Sequence, residues 1–166
     1  MKTIKAKIGQ KRISKGMIVR LSDFTPWWIV CKECRECATL VPRSESHSAN
    51  CKCANCGAIY SITLGSDWDR RMKDLPLWLR GNFRDEVFWS VNGDHLLFLE
   101  ELIGATLRER PVHGGKRINL TTAMPFNLPS WMLSAKNRPA LLHLIQKLKQ
   151  RLPKDFVPAK LHENPR

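Results

Sequence analysis

The cysteines of this chain are confined to one short stretch, and this feature constrains its fold more than any other. They stand at positions 31, 34, 37, 51, 53 and 56 of the 166 residues. A secreted disulfide framework normally spreads its bridges over the whole fold that it staples. Clustered C-x-x-C units without a secretion signal are instead typical of a metal site in a reducing compartment. The sequence therefore predicts a metal-binding module near the N-terminus.

Two cysteine pairs form turns, or knuckles, that can share one ion. They are Cys31-Lys32-Glu33-Cys34 and Cys53-Ala54-Asn55-Cys56, and Gly57 after the second supplies the positive φ that such a turn often needs. The residues between the knuckles suit a β-hairpin that brings both pairs together in a tetrahedral shell of four thiolates. Such a shell selects zinc, with Zn–S distances near ~2.3 Å. Because it has no open position for water, we expect one structural Zn²⁺.

Cys37 and Cys51 leave the choice of ligands open. The run from Cys34 to Cys37 is also a C-x-x-C unit, and Cys51 lies next to the second knuckle. We prefer Cys31 as the first ligand because Trp28-Ile29-Val30 predicts a strand that leads into it. Cys37 and Cys51 are kept as alternates and interpreted as spare thiols near the site. The sharper alternative is a redox switch in which a spare thiol displaces a ligand or forms a disulfide.

The four-cysteine pattern of residues 28–63 resembles the zinc ribbon family, which implies metal binding and a local fold but no activity. Three later runs, Pro76-Leu77-Trp78-Leu79, Phe88-Trp89-Ser90-Val91-Asn92 and Leu128-Pro129-Ser130-Trp131-Met132, resemble a family of small bacterial zinc-ribbon proteins of unassigned function. This second likeness covers about residues 28–150. It implies a bacterial, cytoplasmic protein whose ribbon and helices form one unit.

The net charge of +13 is concentrated at the two ends of the chain. Residues 1–22 contribute +7 and residues 136–166 contribute +6, so the middle is neutral. This distribution favours an acidic partner, and we expect salt-dependent, weakly sequence-specific binding of DNA or RNA. The residues predicted to contact nucleic acid are basic residues of the termini and ribbon loops: Lys5, Lys7, Lys11, Arg12, Arg35, Arg43, Lys52, Lys147, Lys149 and Arg151.

A protein-interaction adapter is the alternative function, and it rests on the tryptophans. Trp78, Trp89 and Trp131 have apolar neighbours and are expected in the core. Trp27 and Trp28 are adjacent, and neighbouring residues of a strand point to opposite faces, so one of them is a candidate for a partner or domain contact. In this alternative the ribbon and an exposed tryptophan form a docking surface for a protein, and the basic ends serve solubility.

We expect a non-enzymatic protein without catalytic residues. The chain contains no phosphate-binding loop, no G-x-S-x-G and no H-E-x-x-H motif. Histidines have no evident catalytic role either, and His95 is expected at the surface or in a helix cap. A third, less favoured hypothesis is a metal-dependent nuclease built on acidic residues, but these lie beside arginines and lysines and are better explained as surface ion pairs: Asp67, Asp69, Asp74, Asp85 and Glu86.

The hydrophobic pattern predicts an α+β fold, in which a Cys₄ zinc ribbon of β-hairpins packs with a C-terminal, mainly helical part. Helices are expected at Asp94–Arg110, at 129–136 and at 140–152, with an extended segment at 86–91. No apolar run approaches the roughly 18 residues of a membrane span, so no membrane association is expected. The predicted units are a basic N-terminal segment with a short strand (1–24), the zinc ribbon (25–66), a mainly helical domain with one extended segment (67–152) and a polar tail (153–166).

Overall fold

The computed structural model describes residues 21–43, 47–65, 72–104 and 128–159, and the backbone of 112–113 and 116–117. These residues form an α+β protein, as predicted from the sequence, with antiparallel β-sheets and α-helices. The short strand predicted in the basic N-terminal segment, at residues 16–22, lies mostly outside the described residues, and its last two residues begin a 3-10 helix, Leu21–Phe24. No helix in the described part of the chain is long and apolar enough to cross a membrane.

The ribbon is a four-stranded antiparallel meander in which each strand pairs with the next along the chain. Its strands are β1 (Trp27–Val30), β2 (Cys37–Arg43), β3 (Ser48–Lys52) and β4 (Ile59–Thr63). Alternate residues point to opposite sides of a strand. The row Trp27, Leu40, Cys51 and Tyr60 therefore lies on one inner face, which is buried or half-buried. The opposite side, called the outer face below, exposes Thr39, Val41, Arg43, Lys52, Ile59, Ser61 and Thr63.

A β-hairpin follows the ribbon. Its strands are β5 (Leu79–Phe83) and β6 (Glu86–Ser90), and Arg84 in the turn between them has a φ of 53°. The extended segment predicted at 86–91 corresponds to β6, whereas the sequence did not predict β5. A third, very short pair consists of β7 (Val112–His113) and β8 (Lys116–Arg117).

Three helices complete the described structure: α1 (Gly93–Gly104), α2 (Ser130–Leu133) and α3 (Arg138–Lys149). Asn92 caps α1, because its Oδ1 accepts the backbone N–H of His95 at 2.9 Å. At the other end of α1 the Arg138 side chain donates from Nε to the Ile103 carbonyl at 2.9 Å. The predicted end of α1 at Arg110 lies outside the described residues. Helix α3 ends three residues before the predicted limit at residue 152.

Helix α1 lies between two hydrophobic clusters. Phe98 and Leu102 belong to the cluster beneath the inner face of the ribbon, whereas Leu96, Leu99 and Ile103 belong to a second cluster. That second cluster is built from the β5–β6 hairpin, α2 and α3, and its buried members include Leu79, Phe88, Met132, Leu141 and Ile145. Because one helix contributes to both clusters, the ribbon and the helical part bury apolar surface against the same element.

Backbone hydrogen bonds also join the ribbon to the rest of the protein along β1. Trp28 donates its N–H to the Val91 carbonyl at 2.6 Å and accepts the N–H of Trp78 at 3.0 Å. Val30 donates its N–H to the Pro76 carbonyl at 2.7 Å. An edge strand otherwise presents unpaired backbone groups. The outer edge of β1 is therefore covered by the segments that follow the ribbon.

The two adjacent tryptophans of β1 enter different clusters. Trp27 is buried in the ribbon core, while Trp28 points to the other side and meets the Phe156 ring edge-on, with centroids 5.5 Å apart. Phe156 lies in the segment predicted as a polar tail. In the same segment the backbone N–H of Ala159 donates to Asp94 Oδ1 at 2.8 Å. The described part of this segment therefore packs on β1 and on the start of α1.

Candidate metal centre

The two knuckles have the same backbone hydrogen-bond pattern. In the first, Cys31 donates its N–H to the Glu36 carbonyl at 2.8 Å, and its carbonyl accepts the Arg35 N–H at 3.0 Å. In the second, Cys53 makes the equivalent bonds with Ala58, at 2.9 Å, and with Gly57, at 3.0 Å. The β1–β2 and β3–β4 turns lie at the same end of the meander. The antiparallel register therefore places both knuckles side by side.

Both knuckles contain a residue with positive φ directly after the second cysteine. It is Gly57 in the second knuckle, with φ of 74°, as the sequence predicted. The equivalent residue of the first knuckle is Arg35, with φ of 65°. A left-handed conformation costs a residue with a Cβ roughly 1–2 kcal/mol. Arg35 was predicted as a phosphate contact, and its backbone strain could not be read from its residue type.

The sulfur atoms of Cys31, Cys34, Cys53 and Cys56 all lie within 4.8 Å of one another. The Cys31–Cys56 sulfur distance is 3.8 Å and the Cys34–Cys53 distance is 3.5 Å. In a regular tetrahedron with metal–sulfur bonds of ~2.3 Å, the sulfur atoms are about 3.8 Å apart. The four sulfurs are thus spaced as the corners of a four-thiolate metal site. In the described part of the chain this is the only group of three or more cysteine, histidine or acidic residues with such geometry.

Hydrogen bonds favour the thiolate form of the first pair. The backbone N–H groups of Cys34 and Glu33 lower the pKa of Cys31 against the opposing effect of burial. The Asn55 side chain, with help from the Glu36 N–H, lowers the pKa of Cys34 to about 6. Thiolates are the form that binds metal. Amides from both knuckles therefore prepare this pair for an ion.

Cys56 differs from the other three in its surroundings. Cys56 is exposed, whereas Cys31 and Cys53 are buried and Cys34 is half-buried. The Ala58 N–H lowers the pKa of Cys56, but partial desolvation within the cluster and the three neighbouring sulfurs outweigh it and raise the pKa to about 12. Four thiolates crowd negative charge in one place, and a cation relieves this repulsion.

The alternates Cys37 and Cys51 lie near the cluster but outside it. Cys37 begins β2, and desolvation raises the pKa of its half-buried thiol to about 11. Cys51 points into the core opposite Leu40, where burial raises its pKa. Both environments keep the thiol protonated, which suits spare thiols rather than ligands. His47, another ligand type within the ribbon, is exposed in the turn at the opposite end of the sheet.

Four of the predicted nucleic-acid contacts, Lys5, Lys7, Lys11 and Arg12, lie outside the described residues. Arg35 is exposed on the first knuckle, and Arg43 and Lys52 are exposed on the outer face.

The three predicted contacts near the C-terminus have different surroundings. Lys147 is exposed on α3, whereas Lys149 forms an ion pair with Glu100 at 3.0 Å. Arg151 lies over the Trp78 ring, 4.6 Å from its centroid, and its backbone carbonyl accepts the indole N–H of that tryptophan. Lys149 and Arg151 therefore already interact within the chain.

His95 occupies a different place from the surface or cap position expected for it. Its side chain is 1% exposed and lies against the Phe24 ring, with centroids 4.8 Å apart. Nδ1 accepts the Val91 N–H at 3.2 Å, and burial lowers the pKa of His95 to about 3. The signal in the sequence was its spacing from Phe98 and Leu102, which places it on the apolar stripe of α1.

No protein-family model, curated protein or solved structure matches this chain. The likeness of residues 28–150 to a family of small bacterial zinc-ribbon proteins therefore stays a prediction. What defines the site is the cluster of four cysteines at the end of the ribbon sheet.

Proposed function

We propose that this chain is a non-enzymatic zinc-binding protein, in which Cys31, Cys34, Cys53 and Cys56 hold one structural Zn²⁺. The single observation that carries the proposal is the spacing of the four sulfurs, at 3.5 and 3.8 Å for two pairs and within 4.8 Å for all. A tetrahedral shell of four thiolates is typical of zinc or of iron–sulfur chemistry. With all four positions taken by protein, the ion orders the fold rather than activating water.

Metal analysis of the full chain, purified under reducing conditions, tests this proposal. We expect one zinc per chain and no colour from iron–thiolate absorption. Cys53→Ser should abolish stoichiometric zinc, whereas Cys37→Ser, the matched change of a nearby thiol, should retain it. Zinc retained by Cys53→Ser, or lost equally from Cys37→Ser, would show that the ligand set is wrong.

Chelation should unfold the ribbon. Structural zinc contributes roughly 10–16 kcal/mol of apparent binding energy to zinc-finger peptides, and this energy is coupled to their folding. The ribbon buries few large side chains, and several of its core positions are alanine or cysteine, namely Cys31, Ala38, Ala49, Cys51 and Cys53. We therefore expect a strong chelator to abolish the β-sheet signals of residues 27–63 in an NMR spectrum, and zinc to restore them. Persistence of those signals in metal-free protein would contradict a structural role.

The proposed cellular role is association with nucleic acid in the cytoplasm, where reducing conditions keep thiols available for metal. Support comes from the net charge of +13 and from three exposed basic residues of the ribbon, Arg35, Arg43 and Lys52. Phosphate contacts release counterions, so such binding weakens as salt is raised. In a mobility-shift titration, the zinc-loaded protein should shift DNA or RNA at low salt. If it shifts neither DNA nor RNA, this part of the proposal is wrong.

The alternative of a protein-interaction adapter needs an exposed tryptophan. Within the described residues Trp27 is buried, and the half-buried Trp28 and Trp78 pack on Phe156 and Arg151. These contacts favour internal roles for the three side chains. A protein complex that survives nuclease treatment and high salt would nevertheless favour the adapter over the nucleic-acid hypothesis.

A further inference from the structure

The outer face of the ribbon is a basic surface without an acidic residue on any of its four strands. Successive rows across β2, β3 and β4 are Thr39–Lys52–Ile59, Val41–Asn50–Ser61 and Arg43–Ser48–Thr63. Arg43 and Lys52 stand two rows and one strand apart, so their Cα atoms are about 14 Å from each other. Hydroxyl groups and apolar side chains fill the positions around them. This combination of groups complements a polyanion that also has apolar surface.

Arg43 is positioned by a short chain of polar side chains. In the orientation of the Asn50 amide that satisfies both of its neighbours, its oxygen accepts from Arg43 Nε at 3.0 Å and from Nη2 at 2.6 Å, and its NH₂ group donates to Ser61 Oγ at 3.0 Å. An amide is uncharged, so this contact orients the guanidinium without neutralising it. Among the described residues Lys149 differs in this respect, since its ammonium is paired with the Glu100 carboxylate. Arg43 thus presents an oriented positive charge with further N–H donors for phosphate oxygens.

Two large apolar side chains lie next to the two basic residues, Val41 near Arg43 and Ile59 near Lys52. The side chains of Val41 and Ile59 are 50% and 76% exposed. Among the described residues, Val157 is the only other large apolar side chain that is exposed. The strands place Val41 one row from Arg43 and Ile59 directly opposite Lys52. Apolar groups between phosphate-binding side chains suit a ligand whose bases are free to contact them. In a duplex the base faces are stacked on one another, so only a single strand offers such contacts.

We propose that the outer face of the ribbon binds single-stranded nucleic acid, with Arg43 and Lys52 on phosphates and with Val41 and Ile59 against bases. This inference rests on the proposed association with nucleic acid and assigns it to one surface and one class of ligand. The charges supply affinity without sequence preference, because phosphates are the same at every position. The apolar pair supplies the preference for single strands.

Salt-dependent binding of an unstructured oligonucleotide by the zinc-loaded full chain tests the assignment. Each phosphate contact contributes about 0.7 to the slope of log K against log salt for single strands. The double variant Arg43→Gln/Lys52→Gln should therefore lower that slope by about 1.4. The control Lys73→Gln/Lys136→Gln removes the same charge from exposed positions outside the ribbon and should leave the slope unchanged. Metal content and the NMR spectrum establish that each variant is folded.

A second pair of variants tests the preference for single strands. Val41→Thr/Ile59→Thr keeps β-branched side chains but replaces apolar atoms by hydroxyls. It removes a methyl group at position 41 and an ethyl group at position 59, so it should weaken binding of the single strand by about tenfold or more and leave the salt slope unchanged. A duplex of the same sequence should bind the wild-type protein more weakly than the single strand does.

The outcomes separate this inference from the proposed function. Binding that persists with an unchanged slope in Arg43→Gln/Lys52→Gln would overturn the assignment of the surface while leaving nucleic-acid association intact. Equal affinity for duplex and single strand, or no effect of Val41→Thr/Ile59→Thr, would overturn the class of ligand. No binding by the wild-type protein at low salt would remove the proposed association itself. A protein partner lost on Val41→Thr/Ile59→Thr, without nucleic-acid binding, would assign the surface to an adapter and overturn the inference.

Discussion

Replacing Asn92 by alanine tests whether one buried amide ties the helical part to the segment that enters the ribbon. The side chain of Asn92 is 5% exposed and makes three hydrogen bonds. Its Oδ1 accepts the His95 N–H at 2.9 Å, and its Nδ2 donates to the Phe24 carbonyl at 2.6 Å and to the Pro26 carbonyl at 3.1 Å. Pro26 directly precedes β1, which leads into the first knuckle.

The expected loss follows from these contacts. Removing an asparagine N-cap costs about 1 kcal/mol. Each of the two donated bonds contributes about 1 kcal/mol, and more where the carbonyl left behind is buried without a partner. Asn92→Ala should therefore lower the free energy of unfolding by about 3 kcal/mol. Asn92→Ser keeps a capping oxygen but loses both donors, so it should recover about 1 kcal/mol of that loss.

Urea unfolding of the zinc-loaded, reduced protein measures these differences, with Asn82→Ala as a control on the exposed side of β5. The control should stay within about 0.5 kcal/mol of the wild-type protein, as surface changes usually do. A loss below 1 kcal/mol for Asn92→Ala would refute the reasoning, because the three bonds would then contribute no more than a single cap. Equal stability of the serine and alanine variants would show that the cap contributes nothing.

Three further predictions concern particular positions. A Cβ at Gly93 would lie 2.5 Å from the Phe156 ring, so Gly93→Ala should cost about 1–3 kcal/mol in thermal unfolding; the cost should largely vanish in the Phe156→Ala background, and an undiminished cost would contradict this contact. Gly57→Ala, at φ of 74°, should lower the stability of the metal-loaded protein to urea by about 1 kcal/mol, whereas Arg35→Gly should not lower it; equal losses would contradict the equivalence of the knuckles. Burial lowers the pKa of His95 to about 3, so below its ordinary pKa of 6.5 the unfolded chain takes up a proton that the folded chain does not. Wild-type stability should therefore fall by about 2 kcal/mol relative to His95→Asn between pH 7 and pH 5 in urea titrations, and a difference independent of pH would contradict the burial of a neutral imidazole.

The sequence predicted the parts of the structure that depend on local spacing. Two C-x-x-C units and Gly57 were enough to predict two knuckles on β-hairpins, because a tight turn fixes the direction of both sulfurs. The apolar stripe of α1 was equally informative, since Leu96, Leu99 and Ile103 recur with the helical period. In the same way, because Trp27 and Trp28 are adjacent in a strand, the sequence predicted that their side chains would point to opposite faces of the sheet.

Other parts of the structure depend on contacts between residues that are distant in sequence, and no local sequence pattern indicates them. Strand β5 contains Arg80, Gly81 and Asn82 between its two buried ends, so it lacks the apolar alternation of a strand and is specified by pairing with β6. Arg35 adopts positive φ because the sulfur cluster and the hydrogen bonds of the knuckle require it. Phe156 is one aromatic residue in a polar segment, and its role depends on the space above Gly93.

The meander has a consequence for the order in which the protein assembles during synthesis. Each strand of the ribbon pairs with its neighbour in sequence, and the four clustered sulfurs lie between positions 31 and 56. Every ligand of the proposed zinc and every strand of its sheet is therefore translated before Asn92. We therefore expect the ribbon to take up the proposed ion first, and α1, which is translated later, to dock against it and complete its core.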